Sequence, residues 1–118
     1  MMKINSHKDL TVWQTAMDLV IGINGLTAKF PGKEHFGLVS QMRRAAISIS
    51  SNIAEGCGRK GAKELGRFLY IAQGSLSELE TQLEIATRLK YVSTSEDTQK
   101  TIIYIRRMLF KLIASITS

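Results

Sequence analysis

The sequence has one cysteine, one proline and no long uninterrupted apolar run. The single cysteine, Cys57, cannot form an intramolecular disulfide, and the first ten residues, MMKINSHKDL, lack the apolar stretch of a signal peptide. Polar residues interrupt every apolar segment well before the roughly 18–20 residues needed to cross a bilayer. We therefore expect a cytoplasmic protein that does not span a membrane.

Residues that commonly carry catalysis or bind metals are also sparse. The two histidines, His7 and His35, have no Cys, Asp or Glu at metal-ligand spacing, and the serines around Ser50 lack a nucleophile motif. The run GCGRKG at 56–61 matches G-x-G-x-x-G, but a helix is predicted before it where a dinucleotide site requires a strand. A helix stop followed by a turn is the better interpretation. We expect no enzyme activity, no cofactor and no metal ion.

The composition is that of one globular domain with an excess of positive charge. The chain has 118 residues, of which 44% are hydrophobic, so residues 1–118 are expected to form a single domain with one core. Sixteen basic and ten acidic side chains leave a net charge of +6. This charge makes polyanions attractive partners if the basic residues cluster on one surface.

Four segments repeat apolar residues at helical spacing, and none has the alternation of a strand. The first runs from about Leu10 to Phe30 with Asp9 as its expected N-cap, and the second runs from near Gly37 to Gly56. The fourth follows a break at 92–95, with Thr94 or Ser95 as its cap. The third, which is the longest, carries a core line of seven residues: Leu65, Leu69, Ala72, Leu76, Leu79, Leu83 and Ala86.

Four helices joined by short connections predict an all-α, up-down-up-down four-helix bundle, because short loops force consecutive helices to run antiparallel. The first and fourth helices each carry a second apolar line beside the expected core line, which comprises Trp13, Ala16, Met17, Val20 and Ile23 on the first helix and Ile102, Ile105, Leu109, Leu112 and Ile116 on the fourth. These surplus lines favour self-association, although a squat bundle that buries wider arcs remains the alternative. Their members are Val12, Leu19, Leu26 and Phe30 on the first helix and Ile103, Phe110 and Ile113 on the fourth.

A structural polar network is expected between the second and third helices. Ser75, Glu78 and Gln82 interrupt an otherwise apolar line of the third helix, and Arg43 holds a similar place on the second. We expect Arg43 to pair with Glu78 or with a carboxylate of another subunit. Glu78→Ala should then destabilise the fold more than Glu80→Ala, since Glu80 is expected to face outward.

Basic residues concentrate in two patches, each a candidate for phosphate contacts. A solvated helix face would show a similar pattern. Tyr104 shares one face of the fourth helix with Lys100, Arg107 and Lys111, so its ring is a candidate for stacking on a base. The loop patch comprises Arg59, Lys60, Lys63 and Arg67, and the patch on the fourth helix comprises Lys100, Arg106, Arg107 and Lys111.

Three stretches resemble the four-helix-bundle family encoded in intervening sequences of bacterial 23S ribosomal RNA genes. They are KDLTVWQTAMDLV at 8–20, SQMRRAAISISSNIAEG at 40–56 and RFLYIAQGSLSELETQLEIATRL at 67–89. The family commonly has proline where this chain has Ser50, so the kink that proline would introduce into the second helix is not expected to carry over.

The resemblance implies a bundle that assembles into a ring-like homopentamer. It also implies a relationship to the accessory protein of diversity-generating retroelements, a basic pentameric bundle that binds nucleic acid and a reverse transcriptase. The leading hypothesis is therefore an oligomer that binds DNA or RNA non-specifically through phosphate contacts. The alternative is an oligomeric adaptor that presents a surface to a nucleic-acid enzyme such as a reverse transcriptase.

Overall fold

The computed structural model describes residues 6–93 and 95–117, and these form four long helices with no strand among them. Residues 1–5, Thr94 and Ser118 lie outside the described part. The candidate cap Thr94 and the first five residues of the stretch MMKINSHKDL are therefore not described. The predicted all-α fold is confirmed. The helices are α1 (Thr11–Thr27), α2 (Ser40–Cys57), α3 (Gly61–Arg88) and α4 (Glu96–Thr117).

Each helix packs against the next in the chain, and α4 returns to pack against α1. The C-terminal end of α2 meets the N-terminal end of α3, because a Cβ on Gly56 would lie 2.9 Å from the Cβ of Phe68. The C-terminal end of α4 meets the same end of α3, where Ile116 approaches Gly66. The helices therefore run up, down, up and down around one core.

The core is built from the apolar lines of the four helices, with one correction on α1. All seven residues of the predicted α3 line are buried, and α2 and α4 bury most of theirs. On α1 the supposedly surplus residues Val12, Leu19 and Phe30 are buried, whereas Met17 of the expected core line is exposed. The bundle thus takes a wider arc of α1 into its core than one helical line provides, which is the alternative that the sequence left open.

Three helix ends differ from the sequence prediction. Asp9 does not cap α1, because it lies in a short 3-10 turn, His7–Asp9, whose own cap is Ser6. Helix α1 ends at Thr27, before Phe30, and a second 3-10 turn and a π-helical turn, His35–Val39, lead into α2. At the other end α2 continues through Gly56 to Cys57 and is capped by Gly58.

The α1–α2 and α3–α4 connections contact each other at one end of the bundle. The hydroxyl of Tyr91 donates a 2.8 Å hydrogen bond to the carboxylate of Glu34, and the Tyr91 ring packs 5.3 Å from that of Phe30. The hydrogen bond to Glu34, followed by desolvation and by the negative charge of the carboxylate, favours the protonated phenol and raises the pKa of Tyr91. The opposite end carries the turn between α2 and α3.

Candidate nucleic-acid interface

The turn between α2 and α3 is short and opens directly into the first turn of α3. Gly61 adopts the left-handed region at φ 86°, and Lys60 precedes it as an N-cap whose side chain accepts no hydrogen bond. The first backbone amides of a helix have no partner within the helix, so they offer donors to an anion at its N-terminus. Lys60 and Lys63 are exposed beside these amides.

Two arginines of the loop patch are held on a phenyl ring. The guanidinium carbons of Arg59 and Arg67 lie 5.1 and 4.4 Å from the centre of the Phe68 ring. Arg59 also pairs with Glu55 at 3.0 Å, and Arg67 pairs with Glu64 at 3.1 Å. The hydrogen bond from Arg67, followed by its charge, lowers the pKa of the Glu64 carboxyl.

These pairs reduce the positive charge of the loop patch without removing it. Exposed ion pairs of this kind contribute about 0–1 kcal/mol, so a phosphate can compete with the carboxylate for the guanidinium. Lys60 and Lys63 have no carboxylate within 4.0 Å among the described residues. The structure therefore brings the four predicted residues together, two of them with acidic partners and two without.

The predicted patch on α4, like the loop patch, contains two cations with acidic partners and two without among the described residues. Lys100 approaches Glu96 at 3.9 Å, and Arg106 donates a 2.8 Å hydrogen bond to Glu80 of α3. Arg107 and Lys111 are exposed, and in the described chain neither has an acidic partner.

The four residues of the α4 face do not all lie beside the loop patch. Lys111 lies in the half of α4 that meets the N-terminal end of α3. Lys100 lies roughly 16 Å further along the helix, at 1.5 Å per residue. Tyr104 is exposed between the two. Of the four residues on this face of α4, Arg107 and Lys111 are therefore the nearest to the loop patch.

The expected pairing of Arg43 with Glu78 is wrong within this chain. Arg43 donates its Nε hydrogen to Thr27 Oγ1 at 2.9 Å and a second hydrogen to the carbonyl of Asn24 at 3.3 Å. Glu78 is exposed, although Gln82 on the same line of α3 is buried. Glu80, which was expected to be the less important carboxylate, holds Arg106.

The other two members of the expected polar network lie between α2 and α3. Ser75 and Ser48 share a 2.8 Å hydrogen bond that joins these two helices. Gln82 is buried, and its Oε1 atom has no hydrogen-bond partner among the described residues. Of the four residues of the predicted network, Arg43 and Ser75 therefore make separate contacts, and no hydrogen bond or ion pair among the described residues connects the four into one site.

Sequence reasoning missed an aromatic groove between α3 and α4. Tyr70 and Phe110 line it and are 60% and 70% exposed. The sequence did contain a signal for this groove, because Tyr70 follows the cation Arg67 by three residues. Tyr104 was predicted instead, because it shares a helical face with three cations. The groove has a volume of about 220 Å³ and is lined by Tyr70, Gln73, Phe110, Ile113, Ala114 and Thr117.

No group of three His, Cys, Asp or Glu side chains within residues 6–93 and 95–117 is placed to hold a metal ion. The G-x-G-x-x-G match at 56–61 joins two helices, so it lacks the strand of a dinucleotide-binding site. Burial raises the pKa of the Cys57 thiol, which favours its unreactive protonated form. Across the same residues, no helix is both long and apolar enough to span a membrane.

The fold and surface define a basic, all-α protein of four antiparallel helices. The family model described as 23S rRNA-intervening sequence protein matches residues 8–111, so the chain belongs to this family, as the three sequence stretches predicted. The match covers all of α1, α2 and α3 and residues 96–111 of α4. A comparison with curated proteins gives no match.

Proposed function

We propose that the protein binds DNA or RNA non-specifically through phosphate contacts made by the loop patch, Arg59, Lys60, Lys63 and Arg67. One observation carries the proposal. Four exposed cations surround the uncapped N-terminus of α3, where backbone amides and positive charge favour the same ligand. Arg107 and Lys111, on the half of α4 nearest this end, extend the positive surface.

The same geometry supports binding without sequence preference. The cations lie on a turn and on outward helical faces, and phosphate contacts from such positions carry no direct sequence information. If about four phosphates are neutralised, the slope of log affinity against log salt should be roughly −3 to −4. We further propose that the chain assembles as a homopentamer, which would repeat the patch around an axis and raise avidity for long strands.

Charge reversal of the two unpaired lysines provides the sharpest test. Lys60→Glu combined with Lys63→Glu should abolish most binding of a labelled oligonucleotide at about 50 mM salt, as measured by fluorescence anisotropy. These two lysines are preferable to the arginines, because Arg59 and Arg67 also contact Phe68 and replacing them would disturb its packing. Helicity should be unchanged.

The matched control is Lys29→Glu combined with Lys33→Glu, which changes the net charge equally at the opposite end of the bundle. This control should bind much more tightly than the loop variant. Equal losses in the two variants would show that total charge, and not the loop patch, determines binding. If the unmodified protein binds neither DNA nor RNA at about 50 mM salt, the proposal fails and the protein-interaction adaptor becomes the better hypothesis.

A further inference from the structure

Among the described residues, three of the grooves between the helices differ in chemistry. The groove lined by Glu80, Glu84 and Ile103 presents two carboxylates, which would repel a phosphate chain. The groove between α1 and α4 is lined by four apolar residues, Thr11, Ser115 and Lys111, without an aromatic ring. The groove between α3 and α4 combines two exposed rings, Tyr70 and Phe110, with an uncharged lining.

Cations flank the aromatic groove on both helices. On α3, Lys63 precedes Tyr70 by seven residues, a spacing that places both side chains on one side of the helix, and Arg67 precedes it by three, with its guanidinium held over the Phe68 ring. On α4, Arg107 precedes Phe110 by three residues, and the Arg106–Glu80 ion pair joins the two helices nearby. A strand whose phosphates contact Lys63 and Arg67 would therefore run beside the rings of the groove.

We infer that this groove binds unpaired bases, so that the protein prefers single-stranded nucleic acid to a duplex. The inference rests on the proposed function and specifies the form of nucleic acid that the interface takes. Every base has a flat face that can stack on an aromatic ring, but in a duplex that face is covered by neighbouring base pairs. Phosphate contacts alone would not discriminate in this way.

Several features of the groove fit a base better than a larger ligand. Its volume of about 220 Å³ is below the roughly 300–1,000 Å³ of sites that enclose drug-sized molecules. Gln73 places an amide in the lining that can donate to or accept from the edge of a base, and the Thr117 hydroxyl, which donates to the carbonyl of Ile113, can still accept a hydrogen bond. Ile113, which is buried, and Ala114 supply apolar contact for its face.

The test compares a strand of about 20 thymidine nucleotides with a duplex of equal length. Loss of one stacking ring should weaken single-strand binding by roughly 5- to 150-fold, so Tyr70→Ala and Phe110→Ala should each show a loss in this range. Duplex affinity should be unchanged. Tyr70→Phe should retain tight single-strand binding, because it keeps the ring and removes only the hydroxyl.

A matched control and a spectroscopic readout separate stacking from a structural effect. Phe36→Ala removes a phenyl ring that is 92% exposed in the α1–α2 connection, outside the groove, and should leave both affinities unchanged. Phe110→Trp, with Trp13→Phe to remove the other tryptophan, should show quenched fluorescence when the single strand binds. The melting temperatures of the alanine variants should match that of the parent, since both rings are largely exposed.

The remaining outcomes overturn the inference in distinguishable ways. If the protein binds single strand and duplex with equal affinity, and Tyr70→Ala and Phe110→Ala leave both affinities unchanged, the groove binds no base. The proposed phosphate interface would not be affected by that result. If the alanine variants change the oligomer mass without changing affinity, the groove is covered by a second copy of the chain. If the parent protein binds no nucleic acid, the proposed function and this inference fail together.

Discussion

At the scale of single residues, the closest approach of two helices depends on a glycine. Gly56 is buried where α2 meets α3, and an added Cβ would lie 2.9 Å from Phe68 Cβ and 3.3 Å from the carbonyl oxygen of Leu65. Both of those atoms belong to or adjoin the α3 backbone, so they cannot move as the end of a flexible side chain could. The sequence showed this glycine only as a helix stop.

Gly56→Ala should destabilise the protein by about 1–3 kcal/mol, because the extra methyl group forces α2 and α3 apart. Gly22→Ala is the matched control. Gly22 lies inside α1, and no described residue beyond the adjoining turns of that helix comes within 4 Å of its added Cβ, so alanine there should stabilise by roughly 0.5–1 kcal/mol. Urea unfolding of both variants measures the difference. A Gly56→Ala protein as stable as the parent would contradict the close approach.

The Cys57 thiol should react slowly with a disulfide reagent in the folded protein. Its folded pKa is raised by burial above the unfolded value of about 8.5, so folding reduces the thiolate fraction at about pH 8. The stabilisation from keeping the thiol neutral is present below the unfolded pKa and is lost as the pH rises through the folded pKa. Reaction rates with and without urea test this expectation, and a faster rate in the folded protein would contradict it.

At the scale of elements, an arginine joins the ends of two helices. Arg43 of α2 donates to Thr27 Oγ1 and to the carbonyl of Asn24, both near the C-terminal end of α1. Thr27 is itself buried and donates to the carbonyl of Ile23 at 2.7 Å. The Asn24 carbonyl also accepts from the Ala28 amide, and a positive side chain is favoured at the negative end of the helix dipole.

Arg43→Ala should therefore cost about 1.5–3 kcal/mol, the range for hydrogen bonds made by a charged group. The neighbouring Arg44 is exposed and has no acidic partner among residues 6–93 and 95–117, so Arg44→Ala should change stability by no more than about 0.5 kcal/mol. Thermal unfolding followed by circular dichroism compares the two. Equal melting temperatures would mean that the α1–α2 contact contributes little.

At the scale of the whole molecule, apolar side chains remain exposed on every helix. The clearest set is the α3 stripe, Ile71, Ile85 and Leu89, which lies along the outer edge of that helix. Ile71 and Ile85 are separated by two heptads, so they face the same direction. Such a stripe is costly to leave in water and favours contact with another copy of the chain.

Light scattering should therefore give the mass of a homo-oligomer, with a pentamer as the expected form. Ile71→Ser combined with Ile85→Ser should lower that mass, because it removes two apolar residues from the α3 stripe. Phe36→Ser is the control, since it removes an exposed ring outside the stripe. A monomeric mass for the parent protein across micromolar concentrations would rule out assembly and the avidity that depends on it.

The sequence by itself determined the class of fold, the number of helices and most of the core. Helical periodicity depends on local spacing alone, so the α3 core line from Leu65 to Ala86 was predicted residue by residue. The family was also accessible, because its motifs are continuous stretches of sequence. Helix ends were predicted less accurately. Asp9 and Gly56 are residue types that are common at helix caps, but Asp9 lies in a 3-10 turn and Gly56 lies inside α2.

Only the tertiary structure decided how side chains from different helices meet. Glu78 and Glu80 differ by two positions in one helix, yet which of them finds a cation depends on how α3 is rotated against α4. The same rotation places Tyr70 and Phe110 in one groove, although forty residues separate them in the chain. Periodicity identifies the buried face of a helix. The partner of each side chain at the edge of that face depends on how the helices pack together, which no local sequence pattern encodes.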